Sequence, residues 1–231
     1  MSLRKVLTAF AILAGVLATP ARADETVDIG GSRAVLLKPN APRASVILMP
    51  GGSGAIDAGA NGEINGLRGN QLVRTRSSYV RSGLAVLVVD AGVNLAGAVQ
   101  YMAAIKRPVT VIATSRGTVR AAQGIAAGAR PNALVLTSGL LSPESGSGEN
   151  VESILGSPSL LPRTLVIHHR QDGCSKTLPA GVDPFIRWSG GRARVVWLSG
   201  GTDSGDACEA FAHHGFNGLD GQVVGLAASF H

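Results

Sequence analysis

Apolar, β-branched runs alternate with alanine-rich stretches along most of the chain. Residues 33–37, 45–49, 84–89, 109–112, 134–137, 165–167 and 195–198 are predicted strands. Most are continuous apolar runs, the pattern expected of strands covered on both faces of a sheet. Helical patterns occupy residues 70–82, 95–105, 118–127 and 183–189, and a last one at 219–230 closes the chain. Strands that alternate with helices imply right-handed crossovers. The predicted fold class is therefore α/β, a mostly parallel central sheet with helices on both faces. Such sheets place their chemistry in loops beyond the carboxyl ends of the strands. Residues 142–162 are rich in Ser, Gly and Pro and read as a surface excursion of a single domain.

The first 23 residues stand apart from this pattern. Arg4 and Lys5 are followed by an apolar run over residues 6–17, then by Ala21-Arg22-Ala23. A charged start, a short apolar core and a small-x-small site are the parts of a secretory signal peptide. The run falls short of the ~20 residues that span a bilayer. The expected organisation is a signal peptide at 1–23 and one domain at 24–231, secreted to the periplasm or the exterior. Cys174 and Cys208, the two cysteines of the chain, then meet an oxidising compartment and can form one bridge, with two unpaired buried thiols as the alternative.

Composition narrows the function classes. Apolar residues make up 45% of the 231, too many for a disordered chain, and the 31 glycines point to many tight turns. The net charge of +6 is inflated by Arg4, Lys5 and Arg22 in the leader segment. The remaining arginines are scattered and aromatics are only 4% of residues, so a nucleic-acid partner is not expected.

One loop carries a specific pattern. The strand ending at Ile112 leads into Ala113-Thr114-Ser115-Arg116-Gly117 and then a helix. A serine on so sharp a strand-to-helix turn projects its hydroxyl into solvent, and small residues two before and two after it relieve the crowding. Ala113 stands where glycine is usual. The same spacing also suits a serine that merely caps a helix.

Two further segments complete a resemblance. His168-His169-Arg170-Gln171-Asp172 follows the strand at 165–167, and His213-His214-Gly215-Phe216 follows the last one. With Ser115 first, the order serine, acid, histidine is similar to that of the α/β-hydrolase fold. The His-Gly-Phe ending resembles that of dienelactone-hydrolase-like and esterase members. The resemblance runs from Thr26 to the C-terminus. It implies a serine hydrolase acting on carboxylic esters, with Ser115 as nucleophile, His214 as base and Asp172 orienting the imidazole. His214 is preferred to His213 because it directly precedes Gly-Phe. The resemblance also implies an oxyanion hole made by the backbone N–H of Arg116 and of Gly52, with Ser53 second to Gly52. Pro50 replaces the histidine common at the start of that loop. The interval between the strands at 134–137 and 165–167 is too short for a lid, so an open site and small ester substrates are expected. No cofactor or metal is implied, no membrane association is expected once the signal is cleaved, and a monomer is expected. Two rivals stand beside this reading. One is a non-catalytic binding protein on the same scaffold. The other is a metal-dependent hydrolase built from His168, His169, Asp172, His213 and His214, although none of the usual zinc spacings occurs.

Overall fold

The computed structural model describes residues 24–231, and the leader segment at 1–23 lies outside the described residues. Eight strands form one sheet: β1 (Glu25–Ile29), β2 (Ser32–Leu37), β3 (Ala44–Met49), β4 (Leu84–Val89), β5 (Val109–Thr114), β6 (Ala133–Thr137), β7 (Arg163–His169) and β8 (Ala193–Leu198). Their order is β1-β2-β4-β3-β5-β6-β7-β8. All pairings from β4 to β8 are parallel, and β1 and β2 add antiparallel at one edge. The α/β prediction holds, with one strand missed. β1 pairs with β2 across a two-residue turn, Gly30-Gly31, whose φ values of 63° and 88° only glycine adopts freely. That Gly-Gly between an alternating segment and an apolar run is a hairpin signal the sequence displays.

Six α-helices accompany the sheet: α1 (Gln71–Arg81), α2 (Leu95–Ile105), α3 (Arg116–Ala126), α4 (Val151–Leu155), α5 (Val182–Trp188) and α6 (Asp220–Ala228). The short α4 sits within the predicted excursion, where Asn150 and Ser153 cap it reciprocally. The segment from β6 to β7 contains only this helix and two single 3₁₀ turns. It forms no lid.

The alternation of side chains along each strand divides the core in two. Ile47, Leu87 and Val111 face α2, α3, α4 and α5, whereas Val46, Val86 and Ile112 face α1 and α6. Burial on both faces is why these strands read as unbroken apolar runs. From β3 the chain crosses to β4 on one side and then returns to β5 on the other. The carboxyl ends of β3 and β5 therefore border the crevice where the winding direction reverses, the position at which open α/β sheets bind ligands.

Candidate active site

The turn after β5 is unusual from the backbone upward. Ser115 has φ 52° and ψ −128°, outside the regions open to ordinary side chains. Such a residue stores roughly 1–3 kcal/mol of strain, which the surroundings must hold. They do so from three sides. Ser115 N–H donates to Thr137 O of β6 at 3.0 Å, and Thr118 donates to Ser115 O through both its N–H and its hydroxyl. A Cβ on Gly117 would lie 2.3 Å from Met49 O and one on Gly51 would lie 2.9 Å from Ser115 Cβ. Those two glycines let the end of β3 press against the turn. Ala113 is fully buried opposite Met49, and its methyl is part of the core. The small-residue requirement is met there without glycine.

Asp172 lies three residues beyond β7. Its carboxylate is buried and surrounded by donors. Cys174 N–H reaches Oδ1 at 3.0 Å, and the Thr177 hydroxyl reaches Oδ2 at 3.0 Å. His214 Nδ1 stands 3.1 Å from Oδ2 and 3.3 Å from Oδ1. Burial by itself would raise the Asp172 pKa. The hydrogen bond and charge of His214, with His168 and the Cys174 N–H, outweigh it and hold the carboxyl below its ordinary value.

Of the two adjacent histidines, His214 is the one that reaches Asp172. A Cβ on Gly215 would fall 2.0 Å from Ala210 O, so the residue after His214 has to be glycine for the loop to fold back on itself. Phe216 then plugs the core under α6, fully buried. His214 O accepts a hydrogen bond from the buried Ser138 hydroxyl at 2.8 Å. His213 turns the other way. Its ring stacks on His169 with centroids 4.3 Å apart, and its backbone N–H donates to Asp203 Oδ1.

Cys174 and Cys208 are joined in a disulfide. It ties the loop of Asp172 to the loop of His214. Ser115, His214, Gly51, Gly52, Leu67 and Phe211 share one open cleft of about 460 Å³. No hydrogen bond joins Ser115 Oγ to His214 among the described residues. The loop after β3 turns through Gly52 at φ 55° and Gly54 at φ 76°, with Gly54 N–H on Gly51 O. The N–H groups of Gly52 and Ser53 donate to no protein acceptor among the described residues, nor does that of Arg116 at the first position of α3.

Thr177 and Ser138 support this constellation, and sequence reasoning did not find them. A lone Thr or Ser in a loop carries no signal of its partner. His168, by contrast, was noticed only as one of a histidine cluster. It is fully buried, with neither ring nitrogen hydrogen-bonded and Nε2 3.5 Å from Asp172 Oδ2. Burial drives its pKa down to about 4, so it is neutral near pH 7. His168 packs on Trp197 while His169 packs on His213, as neighbours on a strand diverge. No group of three or more His, Cys, Asp or Glu side chains is arranged to hold a metal ion among the described residues.

The doubly covered parallel sheet, the strained serine turn at its switch point and the lidless rim define an α/β-hydrolase fold. No protein-family model and no curated protein sequence matches the chain. Solved structures do. A Thermus thermophilus protein superposes with a TM-score of 0.60 at 17% identity, over 90% of this chain and 97% of its own. A dienelactone hydrolase from Anabaena variabilis gives 0.60 at 15% identity, over 90% and 96%. An α/β serine hydrolase without a lid from Xanthomonas campestris gives 0.57 at 14% identity, also over 90% and 96%.

Proposed function

We propose that the protein is a secreted serine hydrolase of carboxylic esters, working through Ser115, His214 and Asp172 and an acyl-enzyme. The observation that carries this reading is the buried Asp172–His214 pair opening into the cleft that Ser115 lines. A serine hydroxyl attacks a carbonyl only as its proton leaves, and an imidazole can accept that proton near neutral pH. Asp172 accepts from Nδ1–H, which leaves Nε2 as the base and stabilises the imidazolium that forms. Thr177 holds the carboxylate from the side. The tetrahedral intermediate puts negative charge on the former carbonyl oxygen, and the N–H groups of Gly52 and Arg116 are the donors assigned to it. His214 then returns the proton to the leaving alcohol, and water repeats the sequence on the acyl-enzyme.

The cleft is open, and no lid covers Leu67, Ala210 and Phe211 along its apolar wall. That favours small ester substrates over long acyl chains. The disulfide and the leader-like N-terminus support export. Labelling with a fluorophosphonate, followed by peptide mapping, tests the nucleophile. The expected adduct is on Ser115. Native protein that takes up no label and hydrolyses no p-nitrophenyl ester would overturn the reading.

A further inference from the structure

Arg120 lies on α3, one turn beyond Arg116, and points back toward β3 instead of out to solvent. Its Nη1 donates to Gly52 O at 3.2 Å and its Nη2 donates to Pro50 O and to Gly51 O, the latter at 3.4 Å. One guanidinium thus spans three consecutive carbonyls of the loop that faces Ser115. No carboxylate pairs with it among the described residues. Burial, and after it the charge of Arg116, lower its pKa, so the site accepts a cation at some cost. Gly54 makes room for it: a Cβ there would lie 2.7 Å from Nη2.

The chemistry follows from which peptide units these carbonyls belong to. Gly51 C=O shares its peptide with Gly52 N–H, and Gly52 C=O shares its peptide with Ser53 N–H. Neither N–H finds a protein acceptor among the described residues, and Gly51 N–H, whose peptide carbonyl is Pro50 O, finds none either. A carbonyl that accepts from a cation polarises its amide, and the N–H at the other end becomes a stronger donor. The contact also fixes which way the amide plane points. With the carbonyls drawn toward Arg120, the N–H groups are left on the opposite side.

We propose that Arg120 is the positioning residue of the oxyanion hole, orienting and polarising the Gly51–Gly52 peptide, and with it the adjoining Gly52–Ser53 peptide, so that Gly52 N–H meets the developing oxyanion beside Arg116 N–H. The proposal rests on the esterase reading above. Because negative charge on that oxygen is greatest in the tetrahedral state, the contribution of Arg120 belongs in kcat and not in KM.

The test uses the full-length protein with p-nitrophenyl acetate as substrate and a trifluoromethyl ketone, which adds to the serine as a tetrahedral oxyanion, as inhibitor. In Arg120→Met, kcat should fall on the order of ten- to a hundredfold while KM stays within about twofold. Affinity for the ketone should fall in parallel with kcat. A cavity of about 270 Å³ borders Arg120 on its other side, lined by Met49, Asn94, Leu95 and Gly124. Millimolar methylguanidinium should therefore restore part of the lost turnover. A merely structural arginine would instead lower the thermal midpoint and give no such rescue. Folded Arg120→Met with wild-type kcat and ketone affinity would overturn the proposal. If that variant does not fold, Arg120→Lys decides: its single ammonium cannot span three carbonyls, so a smaller fall in both readouts is expected, and wild-type values in both would overturn the proposal. A wild-type protein without Ser115-dependent ester hydrolysis would overturn the esterase reading, and this inference with it.

Discussion

Reducing the Cys174–Cys208 disulfide should impair catalysis before it unfolds the protein. The bridge closes a loop with a sequence separation of 34 residues. In the chain-entropy model that is worth about 4 kcal/mol at 25 °C. For a domain of this size each kcal/mol moves the midpoint by roughly 2–4 °C, so reduction should lower Tm by roughly 8–15 °C. The effect on activity has a separate, local origin. Cys174 N–H donates to Asp172 Oδ1 at 3.0 Å, so the cysteine backbone is itself part of the acid's hydrogen bonding. On the other side, residues 199–209 are exposed throughout, although His169 of β7 holds Gly200 O at 3.0 Å. Without the bridge, that loop loses its covalent anchor six residues before His214. A displacement of the order of 1 Å at the triad can cost about a hundredfold in rate.

The assay follows p-nitrophenyl butyrate turnover and far-ultraviolet circular dichroism across temperature, with and without reductant. Intact mass after alkylation confirms the redox state. Reduced protein should lose turnover severalfold at temperatures where its ellipticity is still native. Coincident loss of activity and ellipticity would refute local pinning and leave only global stabilisation. Two freely alkylated thiols in native, unreduced protein would refute the bond itself.

Ser115→Ala should abolish ester hydrolysis by a factor on the order of 10⁶ without altering the fold, and a pure variant that kept a tenth of wild-type turnover would remove Ser115 from the role. His214→Ala should be far more damaging than His213→Ala, because only His214 bonds Asp172; parallel kinetics on the two variants decide it, and the reverse order would reassign the base. His168 makes acid stability specific. It stays neutral in the fold down to about pH 4 but takes up a proton near pH 6.5 when unfolded, so it costs stability as pH falls through that window, on the order of 3 kcal/mol in full. Asp172, whose pKa is lowered in the fold, stabilises at neutral pH and loses that contribution only at more acid pH. Urea unfolding of His168→Leu between pH 7 and pH 4.5 should show a flatter decline than wild type, and equal slopes would contradict the assignment.

Much of this was legible before the structure. Helix α2 spans the predicted residues 95–105, and α1 and α3 differ from their predictions by no more than two residues. The small-x-Ser-x-Gly turn, the loop after β7 and the His-Gly-Phe segment each name a candidate residue, since close backbone approach restricts residue type locally. β1 was missed because a short edge hairpin has little hydrophobic signal, and α4 because capping residues and loop residues are the same residue types.

The sequence by itself determined the layering of the fold, because strands buried on both faces must be apolar throughout and their crossover helices must be amphipathic. It also placed a small residue on either side of Ser115, and the structure shows why at Gly117, where a Cβ would collide with the backbone of Met49. Tertiary structure alone decided that Thr177 and Ser138 steady the Asp172–His214 pair, and that Arg120 spans Pro50, Gly51 and Gly52. These contacts join residues as far as 76 positions apart. A hydrogen bond leaves no periodicity along the chain, and its partner is chosen only when the sheet brings the loops after β3, β5, β6, β7 and β8 to one edge.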